Sequence, residues 1–196
     1  LKLSDFKKDR PFISYYAPEL LSIISETINS NPPDLEVATL AFEELEKFRS
    51  KNKSAVKKAR QIVRKSNNNL IKWLSDAREL IKDIPRCNKG NSTLYVILRS
   101  GYTIKHHYYG AYVGSTSKTP EQRFNQHKNG HRSARGIEKN GIQLLRSLYW
   151  KWVGISGKKE NLLKAESVLN FYLNCSLKTL KVTGDIQYPI EKWDKK

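Results

Sequence analysis

Five side chains in the C-terminal half have the types and spacing that phosphodiester chemistry would need. Arg123 and His127 stand four residues apart in a stretch with helical signals, so they share one helix face. An arginine fork grips phosphate and stabilises charge, and a histidine hands over protons or holds water near neutral pH. Tyr95 and Tyr112 fall in two β-branched, aromatic runs, predicted as neighbouring strands. Glu166 is a carboxylate in the middle of a later helical stretch that, after Glu160 at its start, is mainly apolar or basic. Hydrolysis of a phosphodiester asks for a cation at the phosphate, a base for water and donors for the developing charge. Each residue also has an ordinary reading. Arg123 and His127 would face solvent, the tyrosines would be core aromatics with satisfied hydroxyls, and Glu166 would pair with a cation such as Lys164.

The charge balance points the same way. The 196 residues carry 36 Lys and Arg against 19 Asp and Glu, a net charge of +17. Self-repulsion on that scale is relieved by a polyanion, with nucleic acid the leading candidate and an acidic membrane surface the alternative. Two cysteines, Cys87 and Cys175, make neither a disulfide framework nor a CxxC pair. No apolar stretch follows the polar, charged first ten residues and no run of ~20 apolar residues occurs, so neither a signal peptide nor a membrane span is expected. The expected location is cytoplasmic, without a membrane partner.

These residues must be positioned by local elements. Residues 1–85 read as an all-α, basic region. Leu20, Ile24 and Ile28 mark one helix after Pro18, and Val37, Ala41, Leu45 and Phe48 a second. Val56, Ala59 and Val63 mark a third, and Leu70, Leu74, Ala77 and Ile81 a fourth, enough for a bundle-like domain. Lys51–Lys65 holds seven basic residues and no acid. Lys53, Lys57, Lys58, Arg60, Arg64 and Lys65 are therefore candidate phosphate contacts rather than an ordinary solvated face. The stretch from Ile84 to Ser92 reads as a linker. Strands are predicted at Leu94–Leu98, within Tyr108–Ser115 and at Leu148–Ile155. Thr119-Pro120-Glu121-Gln122 is a capping box that opens the helix of Arg123 and His127. Glu160–Leu173 is a last helix, with Leu162, Ala165, Leu169 and Tyr172 expected inward. Gly114 is expected to allow a close backbone approach.

Tyr95, Tyr112-Val113-Gly114-Ser115-Thr116, Pro120, Arg123-Phe124, Gln126-His127 and Glu166, in that order, resemble the GIY-YIG nuclease family. The resemblance covers roughly residues 91–182, with residues 183–196 left as a tail. It implies an α+β fold, a small mixed β-sheet flanked by helices, preceded here by the all-α region. It implies Tyr95 as the base that activates water with Tyr112 as its partner, Arg123 and His127 as catalytic side chains, and Glu166 as the ligand of one Mg²⁺, which Mn²⁺ could replace. A free phenol has a pKa of ~10, so a nearby positive charge would have to lower it. Ser115 stands where some members carry lysine. The family's asparagine after its glutamate has Asn170 and Asn174 as candidates, both earlier than usual. The connection between the tyrosines is longer than in compact members. His106, His107 and His131 are expected at the surface or facing DNA.

The leading expectation is a metal-dependent, sequence-specific DNA endonuclease of restriction or homing type, acting on double strands, with RNA as an alternative substrate. A non-specific nuclease toxin or mobile-element nuclease is the second expectation. A nucleic-acid-binding protein with an inactive nuclease fold is the third, opposed by the full set of five residues. Cutting both strands of a palindrome would call for a homodimer.

Overall fold

The helices of the N-terminal region form where apolar residues recur one turn apart. The computed structural model describes residues 3–84 and 89–184. Cys87, residues 85–88 of the expected linker and nearly all of the expected tail lie outside them, and the linker's remaining part from Lys89 to Ser92 is strand, not linker. The chain divides into two compact units, residues 1–75 and 76–196.

In the first unit, α1 (Ala17–Asn29) has Pro18 in its opening turn, and Glu19 accepts the Tyr16 backbone N–H at 2.7 Å. Its Leu20, Ile24 and Ile28 are all buried. Asp34 caps α2 (Leu35–Lys47) by accepting from the Val37 N–H at 3.2 Å. The buried line of α2 runs through Leu35, Ala38, Ala41 and Leu45. Phe48 was predicted on that line but lies past the helix end, 42% exposed. The Arg10 guanidinium, paired with buried Glu44, sits 5.0 Å from the Phe48 ring centre and gives it a cation–π partner. In α3 (Lys53–Lys65), Val56 and Ala59 are buried and the six candidate phosphate contacts are exposed. A hollow of about 390 Å³ is lined by Arg49, Lys53, Lys57, Arg60 and Arg64. Arg60 is also bonded to Glu46 at 2.7 Å.

The fourth helix departs from its sequence pattern. Leu70 lies before it, and α4 (Leu74–Lys82) begins later and crosses the divide between the units. Ile71 is buried just ahead of it, its N–H satisfied by Thr39 Oγ1 at 3.0 Å instead of by a helical carbonyl. The packed set in the first unit is thus α1, α2 and α3, not a bundle of four. At its other end, α4 gives the carbonyls of Ile81 and Lys82 to Lys151 Nζ, a favourable place for a cation.

The second unit is built on β1 (Lys89–Arg99), whose residues Ser92 to Leu98 are all buried. β2 (Gly110–Thr116) runs antiparallel along one edge. After α5 (Pro120–Lys128) and the single turn α6 (Ile137–Asn140), β3 (Gly141–Leu144) joins the other edge of β1 at Ile97–Arg99. β4 (Val153–Ile155) joins the same edge nearer its start. The long helix α7 (Lys159–Ser176) packs on β1 and β2, and β5 (Val182–Thr183) closes the mixed sheet in parallel with β2. This is an α+β fold with a small mixed five-stranded sheet. No described helix is long and apolar enough to cross a membrane.

Two predictions are corrected in this unit. The strand expected over Leu148–Ile155 is reduced to Val153–Ile155, and β3 was not predicted. Leu148, Tyr149 and Trp152 are buried from two 3-10 turns, a spacing that does not alternate. Their aromatic and branched types carry β-propensity, but that propensity measures fit to a pleated surface, and packing decided otherwise. In α7, Tyr172 is 39% exposed, and Val168 and Leu173 join Ala165 and Leu169 in the core instead.

The entry into α5 is a complete capping box. Thr119 Oγ1 accepts the Gln122 N–H at 3.1 Å, and Gln122 Oε1 accepts the Thr119 N–H at 3.2 Å. Thr119→Ala should lower stability by about 1 kcal/mol, with Thr119→Ser near wild type. Urea unfolding midpoints at constant m-value measure this. Equal midpoints for all three chains would mean that the cap does not hold α5 in place.

Candidate active site

The register of β1 and β2 sets Tyr95 opposite Gly114 and Ile97 opposite Tyr112. Side chains at all four positions point to one face of the sheet, so Tyr112 is a diagonal neighbour of Tyr95. The two rings are 6.1 Å apart between centres. A Cβ on Gly114 would lie 2.6 Å from the Tyr95 hydroxyl oxygen and 2.9 Å from the Tyr112 ring. The close approach expected at Gly114 is therefore made by the two tyrosines, which need the space a side chain would fill.

α5 brings its own pair to the same place. His127 is fully buried, with Nε2 2.8 Å from the Tyr95 hydroxyl oxygen and its ring 5.7 Å from that of Tyr112. The backbone N–H of Ala134 donates to His127 Nδ1 at 3.1 Å. An acceptor at Nδ1 places the single proton of a neutral imidazole on Nε2, so His127 donates to Tyr95. Burial, reinforced by the Arg123 charge, pushes the His127 pKa down to about 4. The imidazole is neutral at pH 7 and its only lone pair is engaged, so it cannot receive the Tyr95 proton in this arrangement.

The lowering of the phenol pKa that a base requires does not occur at Tyr95. Burial holds the Tyr95 phenol well above its ordinary value, with Tyr112 adding to the rise, and Arg123 offsets only part of it. Arg123 is half-buried and donates to the carbonyl of Arg132 at 2.9 Å, with longer contacts to Gln126 Oε1 and the His131 carbonyl. All these acceptors are neutral, which leaves the guanidinium charge available to a ligand. Arg123 lines two hollows, one of about 430 Å³ that includes Ser115 and Lys118, and one of about 700 Å³ that includes Tyr112.

Glu166 is 6% exposed on α7, one turn before buried Asn170. Neither side-chain atom of Asn170 has a hydrogen-bond partner among the described residues, and Asn174 is exposed. Among the described residues no three His, Cys, Asp or Glu side chains converge. His127 has neither nitrogen to spare. A single buried carboxylate fits a hard cation that keeps waters and takes oxygens from its substrate, not a protein-only cage. Of the other histidines, His106 Nδ1 lies 3.0 Å from the Thr179 carbonyl, His107 has a positive φ of 52° and His131 is exposed beside the smaller hollow. Cys175 is an exposed free thiol. Sequence reasoning missed the Ala134 amide, since any residue type except proline supplies that donor. It also missed Arg99, whose type and position carried no family signal.

Residues 91–169 match the family model of the GIY-YIG catalytic domain. Comparison with curated proteins gives no match, and neither does comparison with solved structures. Residues 91–169 therefore carry a GIY-YIG catalytic domain on an α+β fold, the domain of a nuclease.

The buried imidazole has a consequence for stability. An ordinary histidine titrates at 6.5 and His127 at about 4, so between those values the unfolded chain binds more protons. Its contribution is complete above pH 6.5 and is lost as pH falls toward 4, by at most about 3 kcal/mol. In His127→Gln this part of the acid sensitivity should vanish. Urea midpoints at about pH 7 and about pH 5 for both chains measure it. The same pH-dependent loss in the variant would mean that His127 is not a buried neutral group.

Proposed function

We propose that the chain is a metal-dependent DNA endonuclease that cuts double strands at specific sequences. The observation that carries this reading is the buried Tyr95–His127 hydrogen bond beside an Arg123 whose acceptors among the described residues are neutral oxygens. His127 donates Nε2–H to the Tyr95 oxygen, which orients the phenol proton away from the imidazole and stabilises a phenolate should one form. Arg123 faces the phosphate and stabilises charge on its oxygens in the transition state. Glu166 would hold one Mg²⁺, for which Mn²⁺ is an expected substitute. When bound, that ion supplies Lewis-acid charge at the phosphate. Tyr95 is the base in the first assignment. A second is favoured by one observation: Tyr95 is 1% exposed, whereas Tyr112 is half-buried and lines the 700 Å³ hollow. Tyr112 would then meet the attacking water, with Tyr95 and His127 behind it. Cutting both strands at a symmetric site would require two copies of the chain.

A plasmid digest with and without Mg²⁺ tests the whole reading. Discrete fragments that need Mg²⁺ are expected, together with loss of cutting but not of DNA binding in Glu166→Gln. Tyr95→Phe and Tyr112→Phe should both fold, and the one that is dead identifies the base. A smear would point to a non-specific nuclease. Intact plasmid under all metals would leave only binding by an inactive fold.

The basic face of α3 is proposed to contact DNA phosphates through Lys53, Lys57, Lys58, Arg60, Arg64 and Lys65. Each lost contact lowers the salt slope of binding by roughly 0.9. Replacing Lys57, Arg60 and Arg64 by Gln should flatten the slope by about two such steps, because Arg60 already shares its charge with Glu46. Binding titrations across a salt series give the comparison, and parallel lines would exclude α3 from the DNA contact.

A further inference from the structure

We propose that the 700 Å³ hollow beside Tyr112 is a second phosphate subsite, holding a phosphate of the substrate strand next to the one that is cut. The proposal rests on the nuclease reading of the adjoining site. Four arginine residues, Arg99, Arg123, Arg132 and Arg135, line this hollow together with Tyr112 and Thr183, and no acidic residue lines it among the described residues. Four like charges around one concavity repel one another, and a bound anion relieves that repulsion. Arginine's planar fork suits phosphate oxygens in particular.

Arg99 is held in place by two hydrogen bonds. It stands at the end of β1 on the same face as Tyr95, with Nη1 donating to Thr183 Oγ1 at 2.7 Å and Nη2 approaching the Arg135 carbonyl at 3.5 Å. Its Nε–H is buried and has no partner among the described residues. A charged donor sealed from water and left without a partner is costly, and an anion in the adjoining hollow offsets that cost through its charge. Gly136, at φ +80°, lies against this guanidinium, and a Cβ there would come within 3.0 Å of Arg99 Nη2.

Position argues for a strand over a free anion. Arg123 and Arg132 line both this hollow and the smaller one that contains Ser115 and Lys118. A strand whose scissile phosphate meets Arg123 therefore has a basic hollow on either side for its neighbouring phosphates. Arg123 acts at the reacting group, and Arg99 and Arg135 position the strand.

The test uses the full chain, Arg135→Gln, Arg99→Gln and Arg99→Lys. Arg135 offers only its backbone carbonyl to Arg99, so Arg135→Gln leaves the Arg99 hydrogen bonds in place. Substrate duplexes carry one neutral methylphosphonate, walked across the mapped cleavage position. At one flanking position the neutral linkage should lower kcat/KM roughly tenfold for the wild type, the worth of one charge-assisted contact. At that position alone it should cost the Gln variants almost nothing further. Arg99→Lys should recover part of the loss. Affinity without divalent metal is measured on the same duplexes, so the subsite is read even if no cleavage occurs. Uncut wild-type substrate with the same non-additive pattern in affinity would overturn the nuclease reading and leave the subsite standing. Additive losses at every position, or wild-type affinity in both Gln variants, would overturn the subsite. So would loss of competition by inorganic phosphate with unchanged duplex affinity, which would mark the hollow as a site for free anions.

Discussion

A single hydrogen-bonded line, from the Ala134 amide through His127 to the Tyr95 phenol, constrains most of what the nuclease domain does. Each member limits the next. The amide fixes the imidazole proton on Nε2, the imidazole fixes the phenol as an acceptor, and Gly114 leaves space for the phenol to lie where it does. Burial matters as much as geometry. Removing the pair from water keeps both groups neutral, because an isolated charge there would lack solvation. The interior thereby holds a phenol that keeps its proton at neutral pH.

Arg123 is the opposing element. It lowers both neighbouring pKa values and lies at the meeting point of the two hollows, bonded to carbonyls that hold its direction without cancelling its charge. The placement of that charge depends on the loop after α5, whose main-chain carbonyls at His131 and Arg132 accept from the guanidinium while its Ala134 amide orients His127. One loop thus sets the orientation of two site residues through backbone atoms alone. Basic residues gather on two kinds of surface among the described residues, the α3 face in the first unit and the hollows beside Arg123 in the second. Arg60 shows that basic residues on a face without acids can still find partners elsewhere, here Glu46 on the preceding helix.

Amphipathic spacing and punctuation in the sequence were enough to place α1, α2, α3, α7 and the central strands, because those elements bury most of the residues their own pattern marks, while Phe48 and Tyr172 stay exposed. Thr119 and Gln122 announced the start of α5 for the same local reason. Tyr95, Tyr112, Arg123 and His127, which the fold brings together, were legible through residue type and order, and the family match at residues 91–169 covers the same stretch. Tertiary structure alone decided the rest. Leu148, Tyr149 and Trp152 look like a strand but are buried from turns, since the edge of β1 is shared between β3 and β4. The direction of the Tyr95 pKa shift followed from burial outweighing Arg123, a competition between depth and distance that spacing along a chain does not encode. The Ala134 amide and the Arg99 guanidinium reach their partners across 7 and 84 residues of sequence. A main-chain donor has no residue type to reveal it, and a long-range contact leaves no period, so both were fixed only when the chain folded.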